Sequence, residues 1–202
     1  MKKSILTLTI VCVFALCSGA DAVPSPFSFY AGGLFSMPSS PDGFKDTYNT
    51  GYHGFAGAGY SFMPNFQVVG KLEYNTFSYD WDNNAITGLS DGFSQNSWLF
   101  GADGRFSLGV PAAPMKPFFF AGLGMASTKW SEVSGTDVAL ATSTNTVLDA
   151  LSSTNMYWNI GAGAEFKAGP TFSLFAQARY VKITSDGDGA SYIPISLGLK
   201  FF

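Results

Sequence analysis

From residue 27 onward, polar and apolar side chains alternate with a period of two in eight stretches bounded by turn residues. That period belongs to β-strands whose two faces meet different surroundings. The stretches run 27–37, 51–63, 66–79, 95–108, 117–129, 155–168, 171–184 and 191–202. In the sixth, Met156, Trp158, Ile160, Ala162, Ala164 and Phe166 alternate with Tyr157, Asn159, Gly161, Gly163, Glu165 and Lys167. The fourth opposes Trp98, Phe100, Ala102, Phe106 and Leu108 to Ser97, Gly101, Asp103, Arg105 and Ser107, and the seventh repeats the pattern. The fifth, with Phe118, Phe119 and Phe120 in a row, leaves its phase open.

The connections alternate too. Pro64-Asn65, 109–116 and Gly169-Pro170 are compact, whereas 38–50, 80–94, 130–154 and 185–190 are mostly longer. Short turns on one rim and larger loops on the other predict an all-β, eight-stranded, antiparallel up-and-down transmembrane β-barrel.

Periodicity alone does not say which face points inward, because a soluble barrel would bury its greasy face. Composition and size decide. Only 12% of residues are charged while 16% are aromatic, too few charges to coat a soluble exterior. An eight-stranded bore is only wide enough for side chains to fill, so a glycine-studded polar face is expected inside and the large aromatics outside. A base on the lipid face costs about 2–4 kcal/mol near the midplane. Lys71, Arg105 and Arg179 are therefore expected in the lumen, where Glu73, Asp103 and Glu165 share their phase and form an ion-pair network with them.

The N-terminus reads as a targeting segment. Lys2 and Lys3 precede an apolar run from Ile5 to Leu16, followed by Ala20-Asp21-Ala22. A signal peptide over residues 1–22, cleaved after Ala22, and a barrel domain over 23–202 are expected. Both cysteines, Cys12 and Cys17, fall in the removed part, so no disulfide or thiolate ligand is expected afterwards. The net charge of -3 excludes a basic nucleic-acid binder.

The last stretch places Ile193, Ile195, Leu197, Leu199 and Phe201 on one face and ends in Phe202. This resembles the carboxyl-terminal assembly signal of bacterial outer-membrane barrels, here Ile195, Leu197, Gly198, Leu199, Phe201 and Phe202, although Leu199 stands where an aromatic is usual. Together with GFAGAGYSF in the second stretch and KPFFFAGLGM in the fifth, it makes the chain similar to the small eight-stranded family that includes OmpX, the opacity proteins and the OmpA transmembrane domain. The resemblance implies the outer membrane of a diderm, Gram-negative-type bacterium, with outer-membrane lipid, lipopolysaccharide and the outer-membrane assembly machinery as partners. It implies no cofactor.

Other candidate chemistry is sparse. His53 is the single histidine and is followed two residues later by Phe55 rather than by the serine of a lipid A deacylase. No catalytic residue is assigned, and a lipid-modifying enzyme is a distant alternative. The Gly-x-Gly pairs at Gly57/Gly59, Gly122/Gly124 and Gly161/Gly163 precede no helix and are better read as barrel packing than as phosphate cradles. Trp98, Trp130, Trp158, Tyr52, Tyr60, Tyr74, Phe166 and Tyr180 are candidates for aromatic girdles. The loops collect Asp42, Asp46, Asp80, Asp82, Asp91, Glu132, Asp137, Asp149, Asp186 and Asp188, a solvated rim or a place for divalent cations shared with lipopolysaccharide phosphates. In the Ser/Thr-rich loop 130–154, the segment Thr146–Ser152 with Val147, Leu148 and Leu151 is expected to form about one helical turn or a small hydrophobic contact. The chain is thus expected to be a non-enzymatic envelope protein that recognises a surface ligand through its loops, with a narrow porin-like channel as the alternative.

Overall fold

A computed structural model describes residues 26–109, 115–185 and 189–202. The expected signal peptide, Asp186, Asp188 and most of the 109–116 turn lie outside these residues. Eight strands form a closed barrel in sequence order: β1 Phe27–Ser40, β2 Gly51–Met63, β3 Phe66–Phe77, β4 Gln95–Ser107, β5 Met115–Trp130, β6 Ser153–Lys167, β7 Phe172–Ile183 and β8 Ala190–Phe201. Every neighbouring pair is antiparallel, and β8 closes on β1 from Phe29 opposite Phe201 to Ser40 opposite Ser191. Among the described residues no helix is long and apolar enough to cross a membrane.

The expected phases hold in β4 and β6. Trp98, Phe100, Met156, Trp158 and Ile160 are exposed while Asp103, Arg105, Tyr157, Asn159 and Glu165 are buried. In β5 the structure fixes the phase that the sequence leaves open, with Phe118 and Phe120 inside and Phe119 outside.

The bore is less polar than expected. Tyr30, Val69, Phe118, Phe120 and Phe175 form one apolar cluster, and Phe77, Leu99, Tyr157, Val181 and Tyr192 belong to another. Glycine makes the room. Phe120 stands opposite Gly161, Phe118 opposite Gly163, Tyr157 opposite Gly124, Phe175 opposite Gly198 and Phe55 opposite Gly32. Each ring lies over the bare backbone of its cross-strand neighbour: a Cβ on Gly161 would come 2.6 Å from Phe120 Cζ. Burying such rings contributes about 1.5–3 kcal/mol each, so the glycines stabilise by what they leave empty.

Two short helices sit on the long-loop rim. α1, Asp42–Thr47, buries Phe44 among Phe77, Leu99 and Tyr192 and so lids that mouth of the barrel. α2, Val138–Leu151, replaces the single turn expected near Thr146–Ser152. It forms because Asp137 caps it, accepting from Leu140 N at 3.0 Å. The hydroxyls of Thr142, Ser143 and Thr146 bond back to carbonyls of the preceding turn, which satisfies side chains that otherwise favour loops. The 78–94 and 131–152 segments fold together as a cap around Leu89, Val133, Ala141 and Leu148. Ser90 N donates to Ser134 O at 2.9 Å, and Asn145 pairs with both backbone groups of Val133 at 2.7 and 3.1 Å. Gly92, at φ +107°, makes the close approach to Glu132 and Val133 that a side chain would block.

Candidate functional site

The six charged residues expected in the lumen all lie there, buried. Lys71 Nζ is 2.7 Å from Asp103 Oδ2, and Arg105 Nη2 is 2.7 Å from Glu165 Oε2. Arg179 pairs with Glu73. Glu73 is on β3 and Arg179 on β7, four strands apart in a ring of eight, so this pair crosses the full width of the bore. Neither side chain is more than 1% exposed.

Neutral groups complete the charged layers. Asn75 donates to Glu73 at 2.7 Å and accepts from Ser36 at 3.0 Å, and Asn159 donates to Asp103 at 2.9 Å. His53 has a serine on each ring nitrogen, Ser36 Oγ 3.1 Å from Nδ1 and Ser196 Oγ 2.8 Å from Nε2. At the short-turn end Gln67 bonds Ser28 at 2.6 Å and accepts from Tyr30. Arg105 Nε finds no protein acceptor. Arg105 also borders a cavity of about 20 Å³ beside Lys71, Asp103 and Val69, space for one water rather than a path for hydrated ions.

One member of the network is not among the six. Lys200 Nζ lies 3.2 and 3.3 Å from the two oxygens of Glu165, so that carboxylate serves two cations. In sequence Lys200 stands inside the terminal motif, where the apolar alternation draws the eye, yet its place between the outward Leu199 and Phe201 puts it inward by parity alone. Within that motif Ile195, Leu197, Leu199 and Phe201 share the outer face, Gly198 lies beneath Phe175, and Phe202 is exposed with Lys200 Nζ 4.7 Å above its ring.

Outward-facing aromatics, exposed or half-buried, gather at two levels. Tyr52, Tyr74, Trp98, Trp158 and Tyr180 lie toward the long loops, with Tyr74 and Trp98 rings 4.9 Å apart; Tyr60 and Phe166 lie toward the short turns. Trp130 does not belong with them. Its ring packs against the cap core and its Nε1 donates to Tyr48 Oη at 3.0 Å, while burial pushes the Tyr48 phenol above its ordinary pKa and keeps it neutral.

The described acidic residues of the rim are spread over several elements. Asp42 and Asp46 are on α1 and Asp149 on α2; Asp137 caps α2, Asp80 binds Asn83, and Asp91 accepts from Gly92 N. Among the described residues no three carboxylate, histidine or cysteine side chains group to hold a metal.

The sequence matches the family described as outer membrane protein beta-barrel domain over residues 8–201. The chain belongs to that family. It is an integral outer-membrane protein of the Gram-negative type, and its exposed strand faces meet outer-membrane lipid. Solved structures share the fold. Neisserial surface protein A aligns with a TM-score of 0.61 at 16% identity, over 88% of this chain and 97% of that one. A major outer membrane protein from Thermus thermophilus aligns at 0.50 and 12%, over 87% and 97%. The attachment invasion locus protein Ail of Yersinia pestis aligns less closely, at 0.49 and 17%, over 88% and 98%. No curated protein matches the chain significantly.

Proposed function

We propose that the barrel is a non-enzymatic envelope component: its lumen is a structural plug, and its loop cap is the surface through which it recognises other molecules. The carrying observation is the Glu73–Arg179 pair across the bore, with the Phe118/Phe120/Phe175 cluster on one side and the Phe44 lid on the other. Conduction would require breaking buried ion pairs and displacing packed rings together. Catalysis at His53 is equally disfavoured. Both its nitrogens face serines, and both His53 and Ser196 are buried, so a substrate would meet neither nucleophile nor base.

On this reading residues 1–22 are removed on export, and the alternating face from Ile195 to Phe201 is what the assembly machinery engages. Purified protein should show heat-modifiable gel migration, and the same sample should be electrically silent in a planar bilayer. Discrete conductance steps from folded protein would replace the plug with the narrow-channel reading.

A further inference from the structure

The inward faces at the short-turn end carry more cations than the lumen network uses. Lys116 stands directly opposite Glu165 in the β5–β6 register, and Lys167 follows Glu165 two residues on, so both fall on the lumen side by parity. Lys167 is opposite Ser173, and Ser173 in turn is opposite Lys200, which carries the row across β6, β7 and β8. Arg105 enters from β4. Four cations thus ring this mouth around Glu165, the one carboxylate side chain described among them, a local excess of three positive charges. The connections on this rim, 64–65, 108–114 and 168–171, contain no Asp or Glu to offset it.

Glu165 is already committed to two of the four, with Arg105 Nη2 2.7 Å and Lys200 Nζ 3.2 Å from its Oε2. Lys116 and Lys167 are exposed, and among the described residues neither has a carboxylate within 4 Å. A second observation points the same way from further in. Arg105 is 5% exposed, yet its Nε finds no protein acceptor, and a buried donor on a charged group is costly to leave unpaired. We propose that the short-turn mouth binds a phosphate-type oxyanion. Lys116 and Lys167 take it from water, and Lys200 and Arg105 behind them strengthen the attractive field. A singly charged ion would offset one of the three excess charges, whereas a phosphate dianion offsets two and presents several oxygens to lysine and guanidinium donors at once. Soluble phosphate and phospholipid headgroups share this chemistry. The site lies at the rim opposite the cap and is independent of the cap's role.

The test uses the full chain in phosphatidylcholine nanodiscs, dialysed to equilibrium against radiolabelled inorganic phosphate at constant ionic strength. Phosphate should bind saturably, and Lys116→Gln/Lys167→Gln should weaken it about tenfold or more, with Lys200→Met weakening it less. Lys129→Gln/Lys182→Gln removes two cations near the long-loop ends of β5 and β7 and should leave binding unchanged. Heat-modifiable migration checks that each variant retains its barrel. A second arm replaces part of the phosphatidylcholine with phosphatidylglycerol and reads the urea unfolding midpoint of the same variants. Saturable binding of free phosphate that depends on Lys116 and Lys167 supports a soluble anion as the occupant. Stabilisation by phosphatidylglycerol that depends on the same two lysines, without binding of free phosphate, supports a lipid headgroup. Absence of both effects would overturn the proposal. So would effects undiminished in Lys116→Gln/Lys167→Gln, or weakened equally by Lys129→Gln/Lys182→Gln, since the short-turn mouth would then not be the place of binding.

Discussion

The two charged layers of the lumen solve the same problem differently. In the central layer Glu73 and Arg179 pair with one another, sealed at 0% and 1% exposure, and Asn75 also donates to Glu73. In the layer nearer the short turns Glu165 is shared by Arg105 and by Lys200, which is 14% exposed, and the cations also lie over rings: Arg105 3.5 Å from the Phe118 centroid and Lys200 4.7 Å from that of Phe202. Among the described residues the first arrangement has no second ion-pair partner within 4 Å. The second spreads each charge over several, and its outermost member reaches toward water. The cost of losing a charge should therefore be set by redundancy and exposure rather than by the number of ion pairs.

The strongest way to break this contrast is Arg179→Ala. Glu73 would be left buried without its counter-charge, and the loss should be about 3–5 kcal/mol, read as a shift in urea unfolding from lipid vesicles. Replacing both partners, as Arg179→Met with Glu73→Leu, should restore most of it, because well-packed apolar side chains replace a buried pair at little cost. A loss below about 1 kcal/mol in the single variant would show that the central layer is not sealed as described.

Glu165→Gln tests the other layer. Arg105 and Lys200 would then face each other over an uncharged amide, a destabilisation of about 2–3 kcal/mol. The sharpening experiment adds Lys200→Met: removing the second cation should recover part of the loss, since the repulsion goes with it. If the double variant is less stable than Glu165→Gln, the two cations do not share one carboxylate's field. Between the layers, Gly161→Val should cost about 1–3 kcal/mol by overpacking, because its side chain would start 2.6 Å from both Phe120 Cζ and Arg179 Cβ.

The strand phases are readable because lipid on one side and a narrow bore on the other impose opposite demands at every second residue. Lys71, Glu73, Asp103, Arg105, Glu165 and Arg179 betray their placement by charge. Leu99 and Phe175 do not, since an inward apolar residue breaks the very alternation used to find the face. For Phe175 the signal is Gly198 opposite it, but it needs the register between strands and a single strand does not carry it. His53 tells nothing of its serines for the same reason: Ser36 lies 17 residues and Ser196 143 residues away in sequence. α2 is hard to read because Thr142, Ser143 and Thr146 favour loops until their hydroxyls find the helix's own carbonyls. The pairing of the cap's two segments is tertiary and leaves no local mark.

The smallest expected effect is the one that separates redundancy from mere burial. Lys200→Met removes a cation held 3.2 Å from Glu165 and 5.7 Å from the Tyr30 centroid, contacts that in isolation suggest a loss comparable with that of Arg179. Yet Arg105 remains 2.7 Å from the same carboxylate, so no charge is orphaned. The attraction given up is offset by relief of the Arg105–Lys200 repulsion and of the cost of desolvating an ammonium. The net change should lie within about 1 kcal/mol of zero, measured by the same urea titration as Arg179→Ala. A loss as large as that variant's would mean that burial alone sets the cost, and that Glu165 needs both of its cations.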